Sequence, residues 1–162
     1  MARAAMTLPA QPRTSTARDR TDRVLRHAAV LFLIGFLIHN GDHLRRGVDV
    51  LTPQVLWAGT IAGMVAIGAI GLALVGHRLA PLVAVAVGLP LALGVAAVHL
   101  LPRWSAFSDS LPDGSADALS WTAVLAEIAG ALVFGAAGAW ALRHGSPRGA
   151  VEEAPELREG VK

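Results

Sequence analysis

Residues 26–45 read RHAAVLFLIGFLIHNGDHLR, an apolar run that passes without a break into a cluster of histidines and acids. A helix that spans a bilayer needs about 20 residues. The purely apolar part, residues 28–38, is too short for this, so the stretch reaches spanning length only if residues 39–43 are included. The sequence therefore predicts a first transmembrane helix over about residues 26–45, with titratable side chains in its last turns.

The composition indicates an all-α integral membrane protein. Of the 162 residues, 54% are hydrophobic and 16% are charged, whereas charged residues make up about 25% of a typical soluble domain. Between Leu51 and Trp104, Arg78 and Arg103 are the only residues with a fixed charge. The chain has no cysteine and no tyrosine, which excludes disulfides, thiolate metal sites, iron–sulfur clusters and tyrosyl acids.

Three further apolar segments complete a predicted four-transmembrane-helix bundle, over about residues 53–75, 79–101 and 115–142. Thr52 and Ser115 are the predicted N-caps of the second and fourth helices. Pro90 is expected to kink the third helix. Gly59 and Gly63 form a GxxxG step, which we expect to serve close helix packing inside the bundle.

The two ends of the chain, residues 1–23 and 143–162, are polar and are predicted to be disordered tails. Eleven basic residues fall on the side of the termini, and three fall on the other side. Because basic residues concentrate on the cytoplasmic side, we predict a multi-pass protein of the cell membrane with both termini in the cytoplasm. The expected partner is the lipid bilayer, and no nucleic-acid-binding motif is present.

The polar residues at the outer ends of the helices form a candidate metal site. His39 and His43 are four residues apart on one helix face, and His99 lies near the outer end of the third helix. Glu127 lies at a depth similar to His39 and, with Asp42, offers a carboxylate oxygen. Nitrogen ligands with a carboxylate suit a divalent transition metal such as zinc, copper, nickel or iron. The sequence does not identify a reaction, although Glu127 could act as a general base if the metal activated water.

A structural role is the main alternative. In that interpretation His39 hydrogen-bonds Glu127 across two helices, and Asp42 pairs with Arg46 one turn further along. Such pairs can fix helix packing without any ligand. The protein would then be a non-enzymatic accessory or structural subunit that packs against another membrane protein.

Two weaker alternatives concern haem and a conduction path. His39 and His99 are candidate axial ligands of a b-type haem. A proton or ion path is disfavoured because the inner half of the bundle offers no matching polar residues. Three arginines at the outer end are expected either to anchor the helices or to contact an anionic headgroup or phosphate, and three loop acids are expected to be solvated; these residues are Arg45, Arg46 and Arg103, and Asp109, Asp113 and Asp117.

Overall fold

The computed structural model describes residues 14–114 and 116–145, and within these ranges the chain is all-helical. The four α-helices are α1 (Thr14–Arg46), α2 (Pro53–Leu74), α3 (Ala80–His99) and α4 (Ala118–His144). All four are long and apolar enough to cross a membrane. This agrees with the helical bundle expected from the sequence.

Short connections make neighbouring helices run in opposite directions. One 3₁₀ turn, Val48–Val50, lies between α1 and α2, and residues 75–79 join α2 to α3. The longer loop over residues 100–117 joins α3 to α4. We call the end that carries the start of α1, the α2–α3 turn and the end of α4 the termini end. The opposite end, where α1 and α3 finish and α2 and α4 begin, is the His end.

Helix α4 is the centre of the bundle, and glycines allow its neighbours to approach closely. A Cβ atom at Gly35 would lie 2.5 Å from the carbonyl oxygen of Ala126, and one at Gly130 would lie 2.8 Å from the Cα atom of Phe32. Helices α1 and α4 therefore meet backbone to backbone. Gly88 of α3 faces α4 in the same way, with a Cβ position 2.7 Å from the carbonyl oxygen of Ala131.

Helix α2 lies at the periphery, and its glycines do not fulfil the predicted packing role. No neighbouring atom lies within 4 Å of the Cβ position of Gly59, and Gly63 meets only the ring of Phe36, at 3.3 Å. The expectation that this GxxxG step mediates a close helix approach is therefore wrong. The close approaches instead use glycines of α1, α3 and α4, such as Gly35, Gly88 and Gly130.

Two helix starts differ from the sequence prediction. Helix α1 begins at Thr14 rather than near residue 26, because no proline or glycine interrupts residues 14–34 and because Thr21 and Leu25 are buried. Residues 14–23, predicted to be disordered, are thus helical. The remaining residues of the predicted tails lie largely outside the described ranges, in residues 1–13 and 146–162.

Helix α4 begins at Ala118, and its N-cap is Asp117, whose side chain accepts a hydrogen bond from the backbone N–H of Ser120 at 2.9 Å. The predicted cap, Ser115, lies outside the described residues. The predicted cap of α2 is confirmed, since the hydroxyl oxygen of Thr52 accepts from the N–H of Val55 at 3.2 Å. Capping side chains satisfy backbone donors that a helix start leaves without partners.

The outward faces of the helices carry large apolar side chains. Leu37, Ile61, Met64 and Leu93 are each more than half exposed in the isolated chain. A soluble monomer rarely exposes a large contiguous apolar surface. These faces are compatible with contact to the hydrocarbon of a lipid bilayer.

Candidate metal centre

Three histidines from two helices converge at the His end. His39 and His43 lie one turn apart on α1, and His99 is the last residue of α3. Their ring centroids are 4.6 Å (His39–His43), 4.7 Å (His39–His99) and 5.5 Å (His43–His99) apart. One nitrogen from each ring lies within 4.8 Å of the others, so the three side chains could hold a metal ion.

Helix packing brings the α1 histidines to this position. Gly35 lies one turn before His39, and its close contact with Ala126 brings His39 beside Glu127, the next residue of α4. His39 and Glu127 are each 4% exposed. The absence of a side chain at Gly35 therefore allows a histidine of α1 to reach an acid of α4.

The α3–α4 loop fixes the third histidine by folding back over the end of α3. The N–H of Asp109 donates to the carbonyl of Val98 at 3.0 Å, and the N–H of Leu111 donates to the carbonyl of His99 at 2.9 Å. These bonds satisfy carbonyl groups that a helix end leaves without partners. They also place Asp109 against the His99 ring.

Two of the three rings have an acceptor behind them, at the Nδ1 atom. The Nδ1 of His39 contacts the Glu127 carboxylate, although the ring N–H is not aligned on it as a hydrogen bond. The Nδ1 of His99 lies 3.0 Å from the backbone carbonyl oxygen of Asp109 and 3.4 Å from its carboxylate. A metal-bound histidine commonly donates its second ring N–H to such an oxygen. The Nε2 atom of each ring then points away from its acceptor; that of His39 is in hydrogen-bond contact with His43.

His43 has a different environment. Its Nε2 lies 2.8 Å from the Nε2 of His39, and its Nδ1 lies 3.1 Å from a guanidinium nitrogen of Arg46. Because arginine only donates, Nδ1 is the acceptor and the His43 proton lies on Nε2. To bind a metal through Nε2, His43 must carry its proton on Nδ1, where the nearest acceptor is the Asp109 carboxylate at 3.9 Å.

The spacing of the two α1 histidines requires little adjustment. Two nitrogens bound to one tetrahedral zinc ion at about 2.0–2.1 Å would be about 3.3 Å apart. The observed 2.8 Å between the Nε2 atoms of His39 and His43 would open by roughly half an ångström. Because the Arg46 guanidinium donates to Nδ1 of His43, it would also have to turn away from that ring when the His43 proton moves to Nδ1.

The acids predicted as oxygen ligands lie outside the ring of nitrogens. Glu127 sits behind His39, and Asp42 faces two arginines, with its carboxylate 2.9 Å from Nε of Arg45 and 3.2 Å from Nε of Arg46. Asp42 is 5% exposed, so these contacts compensate a buried charge. Under the structural interpretation, Asp42 was expected to pair with Arg46, and this contact is present. That interpretation also expected a hydrogen bond between His39 and Glu127; the two side chains are in contact, but the ring N–H is not aligned as a hydrogen bond.

The outer arginines are tied into the same network. Arg46 also contacts Asp109 at 2.8 Å, and Arg45 contacts Asp117 at 3.1 Å. The guanidinium group of Arg103 forms no ion pair with the residues that the structure describes, whereas its backbone N–H donates to Asp113. Contact of these three arginines with an external anion stays a prediction. Arg45 and Arg46 already have carboxylate partners within the protein.

Asp109 is the residue of the centre that sequence reasoning missed. It was expected to be a solvated loop acid, but its side chain is largely buried and contacts both His99 and Arg46. Burial acts to raise the pKa of Asp109, while hydrogen bonds from His99 and Arg46 outweigh it and hold the pKa below the ordinary value. The sequence signal was weak, since an acid in a loop with serine and proline neighbours usually faces water.

A cavity of about 680 Å³ opens beside the centre at the His end. Arg46 and Asp109 line it and also contact the histidines. Arg103 and Ser120 form other parts of its wall. None of the three histidines lines the cavity, so Arg46 and Asp109 lie between it and the histidine cluster.

The geometry does not suit the haem alternative. A porphyrin with His39 and His99 as axial ligands would pass between their rings. These rings are in edge contact, with centroids 4.7 Å apart, and His43 is packed against both. No space for a porphyrin exists between them.

Comparisons with known proteins do not add to this description. No protein-family model, curated protein or solved structure matches the chain.

Proposed function

We propose that the chain is a multi-pass membrane protein that binds one divalent transition-metal ion through His39, His43 and His99. The observation that carries the proposal is the convergence of three largely buried imidazoles, two of which have an oxygen acceptor at Nδ1. Glu127 and Asp109 are the residues that orient His39 and His99. The cavity at the His end adjoins the centre through Arg46 and Asp109, which contact the histidines.

The charge of the network supports a divalent cation. Within the described part of the chain, the connected ion pairs contain four carboxylates and two guanidinium groups, from Asp42, Asp109, Asp117, Glu127, Arg45 and Arg46. With neutral histidines the network has a formal charge of −2. A net charge is costly in a low-dielectric environment, and one divalent ion would balance it.

Imidazole nitrogen donors favour transition-metal ions of intermediate hardness over hard ions such as magnesium and calcium. Three imidazole nitrogens suit zinc, copper, nickel, cobalt or iron, whereas magnesium and calcium prefer oxygen ligands. In the described structure no carboxylate lies among the three nitrogens, so further positions on the ion would be open to water or another ligand. Such an open position is a feature of catalytic rather than purely structural zinc sites.

The membrane orientation is part of the proposal. The excess of basic residues at the termini end supports a protein of the cell membrane whose termini are cytoplasmic. The metal centre would then face the outside of the cell. Reporter fusions at the C-terminus and in the residue 100–117 loop would test this orientation, because only a fusion on the outer side reports as exported.

The competing proposal is a structural or accessory subunit of a larger membrane complex. The contact between His39 and Glu127 favours it, since a protonated histidine paired with a carboxylate can join two helices without a ligand. Two protonated histidines would balance the network as well as one metal ion. The two proposals therefore differ in whether the charge is supplied by protons or by a metal.

Elemental analysis of the detergent-purified protein distinguishes them. The proposed function predicts close to one equivalent of zinc, copper, nickel, cobalt or iron per chain. His39→Ala and His99→Ala should each lose the metal, while the exposed turn histidine variant His77→Ala should retain it. All variants should elute as folded helical protein.

Two results would overturn the metal proposal. One is absence of any bound metal after growth and purification with each candidate ion supplied. The other is metal that remains in His39→Ala and His99→Ala but is lost on removal of an affinity tag. Co-purification of a partner at fixed stoichiometry, without metal, would instead support the accessory-subunit alternative.

A further inference from the structure

Arg46 lies where the histidine cluster adjoins the cavity of the His end. Its Nη2 atom is 3.1 Å from Nδ1 of His43 and 2.8 Å from the Asp109 carboxylate. Its Nε atom is 3.2 Å from the Asp42 carboxylate. Arg46 also lines the cavity, whereas none of the three histidines does. The guanidinium group therefore lies between the cavity and His43.

The contact with Arg46 determines which nitrogen of His43 carries the proton. Because a guanidinium group only donates, Nδ1 of His43 accepts from Arg46 and the ring proton lies on Nε2. The hydrogen-bond partner of this Nε2 is the Nε2 of His39, 2.8 Å away. The bond between the two rings therefore uses both of the nitrogens through which His39 and His43 would bind an ion.

The other two histidines need no such change of tautomer. The Nδ1 atoms of His39 and His99 already face oxygen atoms, which is the side on which a metal-bound histidine keeps its proton. Among the three rings, His43 is thus the one whose proton occupies the metal-binding nitrogen. Arg46 is the residue that keeps this proton there.

The observed position of Arg46 leaves one of its donors unsatisfied. Its buried Nε–H has no aligned acceptor among the described residues, although the Asp42 carboxylate is near. A buried donor without a hydrogen bond costs free energy, so the cost of moving this side chain is reduced. The wall of the cavity contains two further carboxylates, those of Asp113 and Asp117. A guanidinium group that turns into the cavity therefore stays near negative charge.

We infer that Arg46 is a gate that controls the loading of the metal centre. In the closed position, which the structure shows, Arg46 holds His43 in the tautomer that cannot bind a metal ion through Nε2. In the open position Arg46 turns into the cavity and releases the Asp109 carboxylate, which lies 3.9 Å from Nδ1 of His43 and can then accept its proton. The inference rests on the proposed metal centre and adds the step that opens it.

The rate of zinc uptake by the detergent-solubilised full chain tests the gate, with a chromogenic chelator reporting free zinc after rapid mixing. Arg46→Met removes the donor to His43 and keeps a long side chain. Uptake should become about tenfold faster, because a hydrogen bond from a charged donor no longer has to break.

The matched control is Arg45→Met. It removes the same charge from the same acid, Asp42, but Arg45 contacts no histidine among the residues that the structure describes. Zinc uptake by this variant should stay within threefold of the wild-type rate. Helical content and elution volume show whether each variant is folded.

Because Arg46→Met also removes a partner of buried Asp42, a second measurement uses the wild-type protein. Phenylglyoxal modifies accessible guanidinium groups, and peptide mass spectrometry distinguishes Arg46 from Arg45. In the closed position the Arg46 side chain is 20% exposed and that of Arg45 is 43% exposed. Addition of zinc should raise the modification rate of Arg46 several-fold and leave that of Arg45 within twofold.

The possible failures of the gate and of the metal centre are distinguishable. Zinc that binds equally fast to Arg46→Met and Arg45→Met, or that leaves the modification rate of Arg46 unchanged, would overturn the gate alone. Zinc bound by Arg46→Met but not by the other two proteins would support the gate in its strongest form. Absence of metal from all three would overturn the proposed function and the gate together.

Discussion

The two ends of the bundle treat their arginines in opposite ways. At the His end, Arg45 and Arg46 are held by Asp42, Asp109 and Asp117. At the termini end, the described arginines have no acidic partner within ion-pair distance. The first arrangement fixes side chains around the histidines, and the second leaves charge available to a partner outside the protein. The arginines that are paired with acids of the protein are thus those at the His end, where the side chains around the histidines are held in place.

The largest expected effect is the difference in unfolding free energy between an arginine substitution at the His end and one at the termini end. Arg46→Gln deprives buried Asp42 of one partner and releases Asp109, and breaking a buried ion pair costs roughly 3 kcal/mol. Arg143→Gln removes an exposed charge from the termini end and should change stability by less than about 0.5 kcal/mol. Unfolding by SDS titration, followed by circular dichroism, measures both. Equal effects would remove the distinction between the two ends.

The second prediction concerns the helix approach that supports the His end. In Gly35→Ala the new Cβ would lie 2.5 Å from a backbone oxygen of α4, and such overpacking costs about 2 kcal/mol. Gly59→Ala places its methyl group in open space and should be neutral or stabilising by up to about 1 kcal/mol. The same SDS titration compares them. Similar destabilisation by both substitutions would contradict the assigned packing of α1 on α4.

The third prediction concerns the acid behind His39. Glu127→Gln keeps the shape of the side chain but removes the carboxylate that orients the ring. Loss of such a partner typically lowers metal affinity 10- to 100-fold. Asp113→Asn removes an exposed acid of the same end and should leave the affinity within about threefold of wild type. Competition with a chelator of known affinity provides the measurement, and unchanged affinity in Glu127→Gln would exclude its orienting role.

The smallest expected effect is the pH dependence of the α4 N-cap. The backbone N–H of Ser120, which donates to Asp117, is the main cause that lowers the pKa of this carboxyl, and Arg45 lowers it further. Because the pKa of Asp117 is lower in the folded state, its ionised carboxylate stabilises the folded state at pH values above the ordinary aspartate pKa of about 3.9. This stabilisation is lost as the pH falls through the folded-state pKa.

Asp117→Asn retains a capping oxygen that does not titrate. The stability difference between wild type and Asp117→Asn should be constant from about pH 8 to pH 5 and should shrink below about pH 4. Thermal unfolding in detergent at a series of pH values provides the profile. A difference that stays constant down to pH 3 would show that Asp117 is not held as described.

The helices and the histidine trio could be predicted from the sequence, because both depend on local patterns. Long apolar runs predict spans, and the separation of four residues places His39 and His43 on one face. His99 was recognised because a polar ring at the end of an apolar helix is costly without a role. These signals need no knowledge of which helices touch.

Other features depend on tertiary contacts that no local pattern carries. The glycine spacing at Gly59 and Gly63 does not reveal that α2 is peripheral. Asp109 joins the centre only because its loop folds back on α3. The helical start of α1 depends on the burial of Thr21 and Leu25, which the polar composition of residues 14–23 does not indicate.

The central claim, that three imidazoles bind one metal ion, is tested most directly by X-ray absorption at the metal edge on protein loaded with zinc. We expect three imidazole nitrogens at about 2.0–2.1 Å from the zinc, and one imidazole fewer around any metal that His43→Ala retains. A spectrum with no imidazole ligands, or protein that takes up no zinc, copper, nickel, cobalt or iron, would contradict it.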